Sequence, residues 1–184
     1  VSGAATTEDA VIAAGAALGA RLLEAGLAIA TAESCTGGLV ARALTETAGS
    51  SAWFERGFVT YSNDAKRESL GVSDATLSAH GAVSEAVARE MALGALARSR
   101  ADLAIAITGI AGPAGAVPGK PVGTVCFGWA LHPPGAADDA PLVRVGTLQL
   151  PGDRTAVRRG AARHALDVAR AWLGAELADR PPAA

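Results

Sequence analysis

The sequence is poor in several features that would mark a specialised class. Its 184 residues hold two cysteines, Cys35 and Cys126, which form neither a metal-type spacing nor a disulfide framework. The three histidines, His80, His132 and His164, are too dispersed for a zinc site, so no metal is expected. Aromatic residues make up only 4%, which leaves the core to Ala, Val, Leu and Ile. Positive charge is not in excess. The net charge is −2 and the pI about 5.9, so no basic field exists to hold nucleic acid and no such partner is expected. No long apolar run is present. The first apolar stretch is broken by Gly15, Gly19, Arg21 and Glu24 and cannot span a membrane. Glu8 and Asp9 ahead of it have the wrong charge for a secretory signal. A cytoplasmic protein without a membrane partner is expected. The chain begins at Val1, so a trimmed start is also expected.

Half the residues are apolar and 18% are charged, a globular composition. The length suits one domain, residues 1–184, with a core over about 8–173. Thr7–Ala25 reads as a helix with Val11, Ala14, Leu18 and Leu22 on one face and Gly26 as its stop. Leu27–Thr31 reads as a buried strand, Thr36–Thr47 as a helix, and Gly49-Ser50-Ser51 as a loop. Arg56–Ser62 reads as a strand. A helix follows over Asn63–Leu70, with Asn63 as N-cap and Gly71 as stop. His80 falls in a loop. Ser84 caps a helix reaching Arg98, and Asp102–Ile107 is a second buried strand. Thr108–Pro121 is a Gly/Pro-rich loop. Val122–Leu131 and Leu142–Leu150 read as consecutive strands, joined by a surface connection over His132–Pro141. Asp153–Leu173 is the last helix, with Val157, Ala161, Ala165, Val168 and Trp172 facing the core, and a tail begins at Pro181. The alternation predicts an α/β fold, a three-layer sandwich with a mixed, mostly parallel sheet flanked by helices.

Chemistry concentrates at Glu33-Ser34-Cys35-Thr36-Gly37-Gly38, a strand end running into a helix start. Unpaired N–H groups and the helix dipole favour an anion there, and the glycines admit a ligand to the backbone. The alternative is a plain helix cap. It is not a P-loop, since no Lys follows, nor a dinucleotide fingerprint, since the third glycine is missing. Ser34 and Cys35 compete as nucleophile. A thiol at a helix N-terminus has a lowered pKa, whereas a serine needs a base. Lys66 is the candidate base if burial makes it neutral; by itself it reads as a solvated helix lysine. Tyr61 reads as a half-buried strand residue or a proton donor. Thr108-Gly109 follows a strand and could converge on the same pocket. Arg154 could clamp a phosphate or be one more solvated arginine beside Arg158 and Arg159. Cys126 reads as core.

Six segments, in order, resemble the CinA C-terminal domain family: Thr31–Gly38, Gly49–Asn63, His80–Ser84, Thr108–Pro113, Lys120–Gly123 and Gly152–Arg154. The likeness runs from about Glu8 to Leu173. Ala116 departs from it, standing where the family usually shows a glycine. The resemblance implies hydrolysis of nicotinamide mononucleotide to nicotinate mononucleotide and ammonia, without a cofactor, in a stand-alone form of the enzyme. It implies Ser34 and Lys66 as a catalytic pair and Tyr61 as a third catalytic residue. Backbone N–H groups near Thr36, Gly37 and Gly38 would stabilise the oxyanion. Ser50, Ser51, Thr108, Gly109 and Arg154 would hold substrate. The expected partner is a small pyridine nucleotide. A homo-oligomer, a dimer, is also expected, with Trp53 and Phe54 open to either an interface or the core. The rival reading is a non-catalytic nucleotide-binding module linked to competence or DNA damage.

Overall fold

The structure, a computed structural model, describes residues 6–132 and 140–178. Most of the expected His132–Pro141 connection, and the tail from Pro181, lie outside the described residues. Helix α1 spans Glu8–Ala25. The Thr7 hydroxyl accepts its Ala10 N–H, acidic residues occupy its first turn, and Gly26 ends it in the left-handed region. Strand β1 (Ile29–Glu33) is buried throughout and begins two residues later than its apolar run suggests, so Ser34 follows it directly. Helix α2 (Leu39–Thr45) is shorter than expected, because residues 34–38 form a separate turn. Strand β2 covers Phe54–Val59 and helix α3 Asn63–Leu70. The cap of α3 is Ser62 rather than Asn63: its Oγ accepts the Ala65 N–H at 3.0 Å.

Helix α4 (Asp74–His80) is an element that the sequence reading lacks, and it places His80 at a helix end rather than in a loop. Its signal is Ser73, whose hydroxyl accepts the Thr76 N–H. Helix α5 (Glu85–Ala97) starts after Ser84 as expected. Strands β3 (Leu103–Gly109), β4 (Thr124–Leu131) and β5 (Leu142–Gln149) lead to helix α6 (Arg154–Ala178).

The sheet order is β2-β1-β3-β4-β5. Strand β1 pairs in parallel with β2 and β3, while β3–β4 and β4–β5 are antiparallel. The sheet is mixed, as expected, but parallel pairings are half of the total rather than the majority. The reason is connectivity. No helix separates β3 from β4, so the chain returns antiparallel. Helices α1, α2 and α6 pack on one face and α3, α4 and α5 on the other, giving the three layers. Strands β1, β3 and β4 are covered on both sides and therefore read as continuous apolar runs. Gly128 allows the closest approach of α5 to the sheet, since a Cβ there would lie 2.3 Å from the Ala88 carbonyl oxygen. Trp53 is core, with its Nε1 donating to the Leu44 carbonyl, and Cys126 is buried as expected. Among the described residues no helix is long and apolar enough to cross a membrane.

Candidate active site

The three parallel strands end together. Glu33 lies beside both Val59 and Ile107 in the register, so Ser34, Tyr61 and the loop after Gly109 emerge on one sheet edge. In α/β sheets this edge is where ligands bind. The end of β5 reaches the same edge through the Thr124–Gln149 pair, which brings in Arg154 at the start of α6. A cleft of about 260 Å³ opens there, lined in part by Ser34, Tyr61, Lys66, Thr108, Gly109 and Arg154. Its size is near the lower end of small-molecule sites, roughly 300 Å³ and above. Among the described residues no carboxylate lines it, and Lys66 and Arg154 are its cations.

Lys66 is only 1% exposed, although α3 is otherwise polar. Its Nζ donates to Ser34 Oγ at 3.1 Å and to the Thr60 carbonyl at 2.8 Å. Burial holds its ammonium below the ordinary 10.5, which favours a neutral amine beside a hydroxyl. That is the condition under which a lysine can take a proton from a serine. Ser34 itself is 8% exposed.

Cys35 does not share this chemistry. Burial pushes its thiol up to about 12, so at neutral pH it is not a thiolate. The helix-terminus argument fails because the positive end of α2 is already occupied. Cys35→Ala is expected to keep kcat within about threefold of wild type, because an inert thiol supplies no chemistry. A steady-state assay of the purified variant checks this.

The occupant of the helix terminus is Glu33, 1% exposed. Its carboxylate accepts the N–H groups of Gly38, Val40 and Ala41 at 2.9, 3.1 and 2.8 Å. Gly38 stands at the N-cap with no side chain to cap the helix, and the preceding glutamate caps it from the strand. Gly37 and Gly38, at φ 59° and 94°, supply the left-handed backbone that folds the chain over this carboxylate. Glu33→Ala leaves three donors without that partner and is expected to lower unfolding free energy by about 3 kcal/mol, read by urea denaturation.

The expected oxyanion donors are therefore revised. The Gly38 N–H serves Glu33, and the Gly37 N–H donates to the Ser34 carbonyl at 3.1 Å. Neither glycine lines the cleft, nor does Thr36, which is fully buried. Ser50 and Ser51 are also misplaced by the sequence reading. They precede β2 and so lie at the opposite end of the sheet, roughly five strand residues or 16 Å from Ser34. Tyr61 is 60% exposed at the mouth, where its hydroxyl accepts from Arg154 Nη2 at 2.9 Å. Arg154 Nη1 donates to the Gly112 carbonyl at 2.9 Å, so one guanidinium bridges two walls. The Thr108 hydroxyl donates to the Ala82 carbonyl at 2.8 Å and pins a third wall. Arg158, read as solvated, instead donates to the Cys35 and Thr36 carbonyls.

A buried hydroxyl–amine pair in a cleft at the carboxyl edge of a three-layer α/β sheet defines the class of protein. The chain belongs to the CinA C-terminal domain family, which matches residues 13–173. It is 54% identical over 149 residues to nicotinamide-nucleotide amidohydrolase PncC of Escherichia coli (strain K12), covering 81% of this chain and 86% of that protein. It is 56% identical over 160 residues to a putative competence-damage inducible protein of Symbiobacterium thermophilum, covering 85% of this chain but only 37% of that longer relative. The crystal structure of a competence/damage inducible protein from Agrobacterium tumefaciens superposes with a TM-score of 0.80 at 45% identity, over 90% of this chain and 96% of that one.

Proposed function

We propose that this chain hydrolyses the carboxamide of nicotinamide mononucleotide to nicotinate mononucleotide and ammonia, with Ser34 as nucleophile and Lys66 as its base. The observation that carries the mechanism is the 3.1 Å contact between the buried Lys66 Nζ and Ser34 Oγ. The substrate comes from relatives named for that activity that align with most of this chain. Neutral Lys66 takes the Ser34 proton as Oγ bonds to the amide carbon, and the carbonyl electron pair moves onto oxygen. The Thr60 carbonyl accepts a hydrogen bond from the ammonium so formed. Lys66 then passes the proton to the amide nitrogen, the C–N bond breaks, and ammonia leaves a Ser34 ester. Water adds to the ester with Lys66 again as base, and the proton returns to Ser34 Oγ as the acid departs. One water is consumed and one ammonia released, so the steps balance without a metal or redox cofactor.

Tyr61 bonds to Arg154 rather than to Ser34 or Lys66, which favours Lys66 alone as the proton carrier. Arg154, a cation at a mouth that no carboxylate of the described residues lines, suits the ribose phosphate. The test is ammonia release from nicotinamide mononucleotide, nicotinamide riboside and nicotinamide. Release from the mononucleotide well above the enzyme-free rate is expected. Tight binding of the mononucleotide with no ammonia released would replace this reading with a non-catalytic binding module.

A further inference from the structure

We infer that Arg158 is a positioning residue that charges the oxyanion donor beside Ser34 through two hydrogen-bonded peptide groups. The inference rests on the proposed reading in one respect, that Ser34 is the nucleophile. Arg158 sits on α6 one turn after Arg154 and is half-buried. Its Nη2 donates to the Thr36 carbonyl at 2.7 Å, and its Nε to the Cys35 carbonyl at 3.0 Å. The peptide that carries the Thr36 carbonyl carries the Gly37 N–H at its other end. That N–H donates to the Ser34 carbonyl at 3.1 Å. The peptide that carries the Ser34 carbonyl ends in the Cys35 N–H. This last group follows the nucleophile directly, and Cys35 lines the cleft. Among the described residues its N–H donates to no backbone carbonyl, and the acceptor near it is its own Sγ. The N–H of the residue after a nucleophilic serine is a common oxyanion donor.

A chain of hydrogen bonds polarises each member, by about 10–30% per bond. A guanidinium at the head of the chain therefore makes the Cys35 N–H a stronger donor than an isolated peptide. The second bond, to the Cys35 carbonyl, fixes the orientation of the turn. Gly37 supplies the left-handed backbone, at a φ of 59°, that the turn under the guanidinium requires. Arg158 touches no reacting atom in this scheme. It acts on charge that develops only in the transition state, so it belongs to kcat rather than KM.

The test compares wild type, Arg158→Met and Arg158→Lys on nicotinamide mononucleotide. In Arg158→Met kcat is expected to fall about tenfold or more, somewhat less than the loss of a whole oxyanion donor, while KM changes less than about twofold. Arg158→Lys keeps the charge and one donor and is expected to lose less than about fivefold. The pH at which the rate rises is set by the buried Lys66 and is expected to stay where it is in wild type. A merely structural role predicts otherwise. Loosening of the turn would admit water to Lys66, move the rise to higher pH, and restore the rate there. That result, or a kcat in Arg158→Met within twofold of wild type, overturns the inference. A second readout needs no amide: the rate at which a fluorophosphonate labels Ser34, with loss of fluoride. Labelling about tenfold slower in Arg158→Met supports the inference, and equal labelling overturns it. A wild type that is labelled but releases no ammonia overturns the amidohydrolase reading alone.

Discussion

Ser34→Ala is expected to lower ammonia release from nicotinamide mononucleotide by about 10⁴-fold or more, the scale seen when a serine hydrolase loses its nucleophile. Stability should change by less than about 1 kcal/mol, because the change deletes one oxygen whose hydrogen-bond partner, Lys66, keeps the Thr60 carbonyl. KM should move little, since the cleft walls and Arg154 are untouched. The separation of a large rate effect from a small folding effect is what distinguishes a nucleophile from a helix cap. The local structure already removes the cap reading. Helix α2 starts only at Leu39, with Gly38 as its N-cap, and the N–H groups at that terminus are held by Glu33 rather than by Ser34.

Lys66→Met is expected to abolish activity to a similar degree while leaving unfolding free energy equal to wild type or up to about 1 kcal/mol higher. Two hydrogen bonds are lost, but so is the cost of burying an amine that is charged when unfolded. The pH dependence follows from the same burial. The folded pKa of Lys66 lies below 10.5, so between the folded value and 10.5 the unfolded chain binds more protons. Lys66 therefore contributes a rise in stability with increasing pH across that window. Below the folded pKa the penalty of a buried ammonium is present in full. Lys66→Met should lack that rise, as seen by chemical denaturation of both proteins across alkaline pH. A variant several kcal/mol less stable at every pH would show that Lys66 holds the fold together rather than burdening it.

The layers of the fold were legible because apolar runs alternate with helical stretches, and because caps such as Ser84 and stops such as Gly26 and Gly71 are written locally. The pairing of Ser34 with Lys66 was not legible from residue chemistry alone. Asn63–Leu70 is a polar segment, and Lys66 is buried only because α3 packs on α5 and turns this side chain toward Ser34 and Thr60; the family resemblance supplied the pair. The capping role of Glu33 is not legible in the sequence because it caps a helix from the preceding strand, five to eight residues before the N–H groups it takes. A single carboxylate at the end of an apolar strand was the available signal. Ser50 and Ser51 had the right chemistry, but they enter β2 instead of leaving it, and that puts them at the far edge. Arg158 could not be separated from Arg159 by sequence, since its partners lie more than 120 residues away.

The central claim is that Lys66 is held neutral by burial so that it can deprotonate Ser34. The chain has only two lysines, Lys66 and Lys120, so lysine side-chain NMR signals can be assigned by their loss in Lys66→Met. A pH titration of the Lys66 signal measures the claim directly. The signal is predicted to titrate below 10.5, at the same pH as the rise in kcat/KM. A Lys66 signal that titrates at 10.5 or above, with activity already at its plateau at lower pH, would contradict the account.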